Sequence, residues 1–177
     1  SYRASAGLRE SYQRQGKFIE AEKILKKMLK LTPGNDILYL KLGKLYRFNI
    51  PVPDRYFRAE ELFKKAIELN PANYAAYDEL GALYRFNLPG RLPEAEVLFK
   101  KAIELSPKSE RAYVGLGELY LNQGKFYQAE EILNKLLELN PQHGWGNKAI
   151  NILYQEMNRI GIAEVSKKKP DKPEFNE

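Results

Sequence analysis

The chain has no cysteine, a single histidine and no long apolar run. The absence of cysteine excludes disulfide scaffolds, thiolate metal sites and cysteine nucleophiles. The lone histidine, His143, leaves too few imidazoles for a catalytic triad or an ordinary zinc site. No stretch reaches the ~18 apolar residues that a membrane-spanning helix needs. From these absences we expect no catalytic residue, cofactor or metal, and a soluble, cytoplasmic protein is favoured.

The remaining composition is that of a folded protein, with 177 residues of which 44% are hydrophobic and 29% charged. The formal net charge is +6, and the excess of basic residues lies at the N-terminal end. Together with the lysine run at 167–169, this end suits contact with an acidic protein or an anionic membrane surface. The regular coding positions of RNA-reading repeats are absent, which argues against nucleic acid as the partner. Because the sequence begins at Ser1 inside helix-like sequence, we expect that an upstream segment is missing.

Internal repetition is the strongest signal in the sequence. Four similar stretches end in prolines that are spaced by 38, 36 and 34 residues, namely Pro33, Pro71, Pro107 and Pro141. Each stretch has two halves in which apolar residues fall three and four apart, as on one face of an α-helix. Glycine-containing stretches at 15–17 and 123–125, or proline-containing loops, separate the halves and predict helix ends. Each copy is therefore predicted to be two antiparallel helices, with the copies at 2–35, 36–73, 74–109 and 110–143.

Small residues recur where the two helices of a copy are expected to cross. The glycines of the first helices and the alanines of the second helices are Gly43, Gly81, Gly117, Ala59, Ala95 and Ala129. We expect the glycines to allow close approach and the alanines to complete the crossing. A tyrosine that recurs once per copy is interpreted as packing. Lysine pairs such as Lys64 and Lys65 are interpreted as a solvated outer face, held in i,i+4 pairs with glutamate.

These residues resemble the tetratricopeptide repeat, whose pattern is an aromatic residue, Leu-Gly and Tyr, then Ala, Phe and a final Pro. The second copy carries the pattern as Tyr39, Leu42, Gly43, Tyr46, Ala59 and Phe63. The first copy departs from it at Ser5 and Arg9. The resemblance implies an all-α fold, a right-handed α-α superhelix (solenoid) of four helix hairpins plus a C-terminal capping helix at 144–160. It implies a single solenoid over 1–160, and the polar composition of 161–177 predicts a disordered tail.

The resemblance also implies a binding groove, because the first helices of such copies line a concave surface. Its candidate residues are Leu40, Lys41, Lys44, Arg47, Phe48, Asp78, Glu79, Arg85, Phe86, Arg111, Glu118 and Asn122. Their charge is mixed, basic toward the second copy and acidic around Asp78, Glu79 and Glu118, which suits an extended or helical peptide. We therefore expect a non-catalytic protein–protein interaction scaffold that binds a protein or peptide, with no small-molecule substrate, cofactor or metal.

Binding of heat-shock chaperones is not expected. Related repeats hold the acidic tails of these chaperones in a two-carboxylate clamp, which needs Lys, Asn and Arg at fixed positions. In the second, third and fourth copies those positions hold Leu40 and Lys44, then Glu79, then Arg111 and Gly115. These residues do not fit the clamp.

Two enlarged loops distinguish the second and third copies, at 49–54 and 87–92. In one interpretation the loops stand side by side, where Arg47 and Arg85 bind a partner carboxylate and Phe48 and Phe86 offer apolar anchors. In the other, which we favour, each Phe folds over its own loop and each Asn that follows it ends a helix.

Two other functions stay open. The chain can be the recruiting or scaffold segment of a larger multidomain enzyme, such as a transferase. It can also be a self-assembling homo-oligomeric scaffold, in which the uncapped N-terminal hairpin docks into the groove of another copy.

Overall fold

A computed structural model describes the backbone of residues 2–161 and the side chains of residues 16–88 and 90–161. Within this range every regular element is helical. The helices are α1 Tyr2–Leu31, α2 Asp36–Phe48, α3 Arg55–Leu69, α4 Tyr74–Asn87, α5 Leu92–Leu105, α6 Glu110–Asn122, α7 Phe126–Leu139 and α8 Gly144–Arg159, with a 3-10 turn at Pro89–Arg91. The predicted tail beyond Gly161, and the side chains at Ser5 and Arg9, lie outside the described residues.

Contacts divide the chain into two compact units, Ser1–Ala112 and Tyr113–Glu177. In the first unit, α2 packs against α3 and α4 against α5, while α1 contacts α2 and α3 contacts α4. In the second unit, α7 packs against α8. The helices of the second to fourth copies and the capping helix fall where the repeats predict them. A single solenoid over 1–160 stays a prediction.

The crossing glycines lie where the two helices of a copy touch. A Cβ atom built on Gly43 would stand 2.5 Å from the ring of Phe63, and one on Gly81 would stand 3.1 Å from the ring of Phe99. Both rings are fully buried. The expected role of these glycines in close approach is therefore confirmed, and it is strictest at Gly43.

Asparagine side chains fix where the first helices begin. Asn35 Oδ1 accepts from the backbone N–H of Ile37 and Leu38, and Asn73 Oδ1 accepts from that of Ala76. Each bond satisfies a donor that the first helical turn leaves unpaired. Asparagine thus starts both α2 and α4 after the proline that precedes each of them.

The first copy differs from its prediction, because the helix end expected at 15–17 is wrong. Helix α1 runs unbroken through Gly16, whereas the matching stretch at 123–125 does turn. There Gly124 adopts a left-handed φ of 67°, and the Lys125 N–H donates to the carbonyl of Tyr120. In the first copy the sequence has Arg9 at the position of the crossing glycine, so the small residue that permits close approach of two helices is missing there.

Candidate binding surface on the first helices

Three cations converge on one buried carboxylate between α2, α4 and the first turn of α6. Glu79 of α4 is only 1% exposed. Its Oε2 lies 2.9 Å from Arg47 Nη1 of α2, and its Oε1 lies 3.1 Å from Lys44 Nζ and 2.7 Å from Arg111 Nη2 of α6. These residues and Asp78 form what we call the first-helix cluster, which lies entirely within the first unit.

Asp78 is the second carboxylate of the first-helix cluster and is less well paired. Its Oδ2 accepts from Arg111 Nε at 2.8 Å, but its buried Oδ1 has no hydrogen-bond partner among the described residues. Burial raises the pKa of Asp78 to about 6, although Arg111 opposes the rise, and the adjacent Glu79 carboxylate adds to it. Burial also lowers the pKa of Arg47, which Glu79 partly restores.

The carboxylates of the cluster are buried, and two of its three cations reach the surface. The side chains of Lys44 and Arg111 are 45% and 53% exposed, while those of Asp78 and Glu79 are 5% and 1% exposed. The acidic patch expected around Asp78 and Glu79 is therefore covered. A partner would meet positive charge here, whereas the sequence alone predicts mixed charge.

Two phenylalanines stand at the same end of this surface and form what we call the aromatic rim. Phe48 ends α2 and Phe86 lies one residue before the end of α4, and the two rings are 57% and 59% exposed. Arg47 Nε donates to Asn87 Oδ1 at 3.2 Å and so ties the two helix ends together. The guanidinium groups of Arg47 and Arg85 stack on the adjacent rings, at 4.5 and 4.1 Å from the ring centroids.

The preferred interpretation of the enlarged loops is confirmed only for the helix ends. Asn49 caps α2 through its backbone N–H, which donates to Leu45 O, and Asn87 is the last residue of α4. Phe48 does not cover its loop, because Ile50 is the buried apolar side chain there. The rings are accessible, as the other interpretation expects, but its expectation that Arg47 binds a partner carboxylate is wrong, because Arg47 is buried against Glu79.

The structure brings together five of the twelve candidate residues, those of the first-helix cluster, and places the two rings of the aromatic rim at its end. Leu40 is half-buried and Lys41 exposed on α2, and Arg85 is half-buried on α4. Glu118 is half-buried and Asn122 exposed on α6, in the second unit.

Sequence reasoning missed a recurring hydrogen bond of the tyrosines, which were interpreted only as packing. Tyr84 Oη donates to Glu60 Oε1 at 2.7 Å, and the same bond joins Tyr46 to Glu22 and Tyr154 to Glu130. Each pair is 24 residues apart in sequence. That recurring spacing of Glu and Tyr was the available signal.

Cations lie beside two of these tyrosine–glutamate pairs, those of Glu22 and Glu60. Around Glu60, Lys64 Nζ lies at 2.6 Å and Arg91 Nη2 donates to the hydroxyl of Tyr84 at 3.1 Å. Burial raises the pKa of Glu60, but the hydrogen bonds from Lys64 and Tyr84 outweigh it and hold the pKa below its usual value. The i,i+4 lysine–glutamate pairs predicted on the second helices are confirmed by Lys64–Glu60, Lys26–Glu22 and Lys100–Glu96.

Neither a metal site nor a membrane span is found in the part of the chain that the structure describes. Its side chains contain no group of three or more His, Asp or Glu residues able to hold an ion. Among its helices, none combines the length and apolar character that crossing a membrane requires.

Comparison with known proteins matches the repeats directly. Two family models, both described as tetratricopeptide repeat, match residues 54–110 and 89–146. Together they span more than half of the chain. No curated protein sequence matches it significantly.

Several solved structures resemble this chain. A crystal structure of MamA is 27% identical over 86% of this chain and 84% of that chain, with a TM-score of 0.71. A structure of pilF from Pseudomonas aeruginosa is 22% identical over 91% and 71% of the two chains, with a TM-score of 0.71. The first repeat domain of Spaghetti (RPAP3), bound to the HSP90 peptide SRMEEVD, is 20% identical over 70% and 95%, with a TM-score of 0.62. The predicted all-α solenoid class is thus confirmed.

Proposed function

Because this chain belongs to the tetratricopeptide repeat family, we propose that it is a non-catalytic scaffold that binds a protein or peptide on its first helices. The binding surface is the exposed face of α2, α4 and the first turn of α6. The observation that carries the proposal is the aromatic rim, two large apolar rings held open to solvent beside the basic edge of the first-helix cluster.

The aromatic rim has the properties of a binding anchor. Phe and Arg side chains are enriched at protein interfaces, and an aromatic ring buries a large apolar area. Here the rings are already oriented by their stacked guanidinium groups. Preorganisation of this kind lowers the entropy that binding loses.

A neighbouring structure supports the class of ligand. The similar Spaghetti domain is bound to a short peptide, so this type of helical array can bind a peptide. The likeness concerns the fold, and the identity of the partner of this chain does not follow from it. The recruiting-segment and self-assembly alternatives stay predictions.

Titration of a captured partner against matched variants tests the proposal. Phe48→Ala with Phe86→Ala should weaken binding by about 1–2 kcal/mol or more per ring, as interface anchors do. The matched control is Val97→Ala, since Val97 is an equally exposed apolar residue on the second helix α5, 66% exposed. Binding that survives the rim variants but is lost on Val97→Ala would place the partner on the second helices and would contradict the proposal.

A further inference from the structure

Glu79 is buried among three cations. Its two oxygens have close cationic neighbours on both sides, Arg47 at Oε2 and Lys44 with Arg111 at Oε1. The corresponding position of the neighbouring copies is Lys41 in the second and Gly115 in the fourth. The repeat therefore does not need a carboxylate at this position in order to fold.

We propose that Glu79 is a built-in anion that occupies a three-cation site and keeps partner carboxylates out of it. Glu79 is thus a specificity-determining residue, because it withholds the buried Arg47 and shares the exposed Lys44 and Arg111. This inference rests on the proposed function, because it concerns what the same surface accepts.

An external carboxylate competes poorly with Glu79 for these cations. Glu79 is attached to the chain, so its effective concentration at the site far exceeds that of any free peptide. A peptide carboxylate would also lose translational freedom and its own hydration on entering the site. Arg47, whose side chain is 5% exposed, is out of reach unless Glu79 first moves away.

Removal of the negative charge should convert the closed site into an open one. With Glu79→Gln, Asp78 would be the remaining carboxylate of the first-helix cluster beside Lys44, Arg47 and Arg111. The net charge of the cluster would then change from +1 to +2, counting ionised side chains. A buried guanidinium without a counterion strongly favours an incoming anion.

The test is fluorescence anisotropy with the labelled peptide SRMEEVD, which the related domain binds. A peptide with Gln and Asn in place of the acidic residues and an amidated C-terminus serves as the uncharged control. Wild-type protein should show no saturable binding up to about 1 mM, and Glu79→Gln should bind the acidic peptide at least about tenfold more tightly. Adding Lys44→Ala to Glu79→Gln should reverse the gain, and salt should weaken the binding.

Two results would overturn the inference. One is wild-type protein that binds the acidic peptide and loses that binding on Lys44→Ala. The other is a folded Glu79→Gln protein, with an unchanged circular dichroism spectrum, that gains nothing. If Glu79→Gln does not fold, Glu79→Asn replaces it, and the wild-type measurement decides in either case. A failure of the aromatic-rim variants would leave these outcomes untouched, so the two proposals fail separately.

Discussion

Two buried glutamates on consecutive helices, Glu60 on α3 and Glu79 on α4, are both surrounded by cations but differ in how often their contacts occur. The bond from Tyr84 to Glu60 has counterparts at Tyr46–Glu22 and Tyr154–Glu130. The contacts of Glu79 have no counterpart at the same position of the two neighbouring copies, which hold Lys41 and Gly115. A contact that recurs with the repeat follows from the repeat geometry, because the same helix pair brings the same side chains within reach each time.

The contacts of Glu79 follow from this particular chain rather than from the repeat. Its partners come from the first helices of the two neighbouring copies, Lys44 and Arg47 from α2 and Arg111 from α6. Copies with Lys41 or Gly115 at the same position form the same helices. The comparison therefore separates side chains that hold the repeats together from those that shape the binding surface.

The difference between the two glutamates is tested most directly by neutralising each of them in turn. Glu79→Gln should lower the free energy of unfolding by about 3–5 kcal/mol, because it leaves the buried Arg47 without its counterion. Glu60→Gln should cost only about 1–2 kcal/mol, because its partners Lys64 and Arg91 are 54% and 40% exposed and can return to water. Urea denaturation at neutral pH measures both. Equal losses would mean that both glutamates are structural to the same degree.

The pH dependence of stability should have opposite signs at the two clusters. The folded pKa of Asp78, about 6, lies above its ordinary value of 3.8. The folded state therefore binds the extra proton, and this stabilisation is lost as pH rises through 6. The difference corresponds to about 2–3 kcal/mol. Asp78→Asn should flatten the decline in stability between pH 3.8 and about 6, measured by urea titration at each pH.

Glu60 supplies the contrasting profile. Its folded pKa lies below the ordinary value of 4.5, so its stabilisation is present above that pH and is lost as pH falls through the folded pKa. Glu60→Gln should therefore reduce acid sensitivity below about pH 4.5 and leave the slope near pH 6 unchanged. A wild-type slope near pH 6 that survives Asp78→Asn would assign that titration to another group.

A residue that recurs in each copy is not equally important for stability in all of them, and the crossing glycines are an example. Gly43→Ala should destabilise the protein by about 1–2 kcal/mol, because the new Cβ overpacks the ring of Phe63. Gly117→Ala should be neutral or slightly stabilising, since its nearest side-chain atom, Leu133 Cδ2, would lie at an ordinary 3.4 Å. Thermal unfolding of both variants measures the difference. A loss at Gly117 as large as that at Gly43 would contradict the geometry.

The helices could be predicted from the sequence because each is encoded locally and repeatedly. The spacing of apolar residues predicts which face of each helix is buried. The asparagine after Pro33 or Pro71 predicts where the next helix begins. The same letters, Gln-Gly-Lys-Phe, occur at 15–18 inside a helix and at 123–126 across a turn. That choice depends on whether the flanking helices can close against each other, which the tetrapeptide itself does not encode.

The candidate site could be predicted only as a set of positions. Register on the first helices identified the residues, since Lys44, Asp78, Glu79 and Arg111 do come together. Their pairing and burial could not be predicted, because these depend on distances between helices that are set by packing on the opposite face. The sequence therefore suggested an open, mixed groove where the carboxylates are in fact covered.

The smallest expected effect on stability belongs to the aromatic rim. Phe48 and Phe86 recur at the same position of two copies, yet both are mostly exposed. Phe86→Ala should therefore change the free energy of unfolding by no more than about 0.5 kcal/mol, as surface substitutions do, measured by urea denaturation beside Val97→Ala. A loss several times larger would mean that the ring supports the fold through its stack on Arg85. A small loss combined with weaker partner binding would show that a recurring residue can serve binding alone, and recurrence would then no longer separate structural from functional side chains.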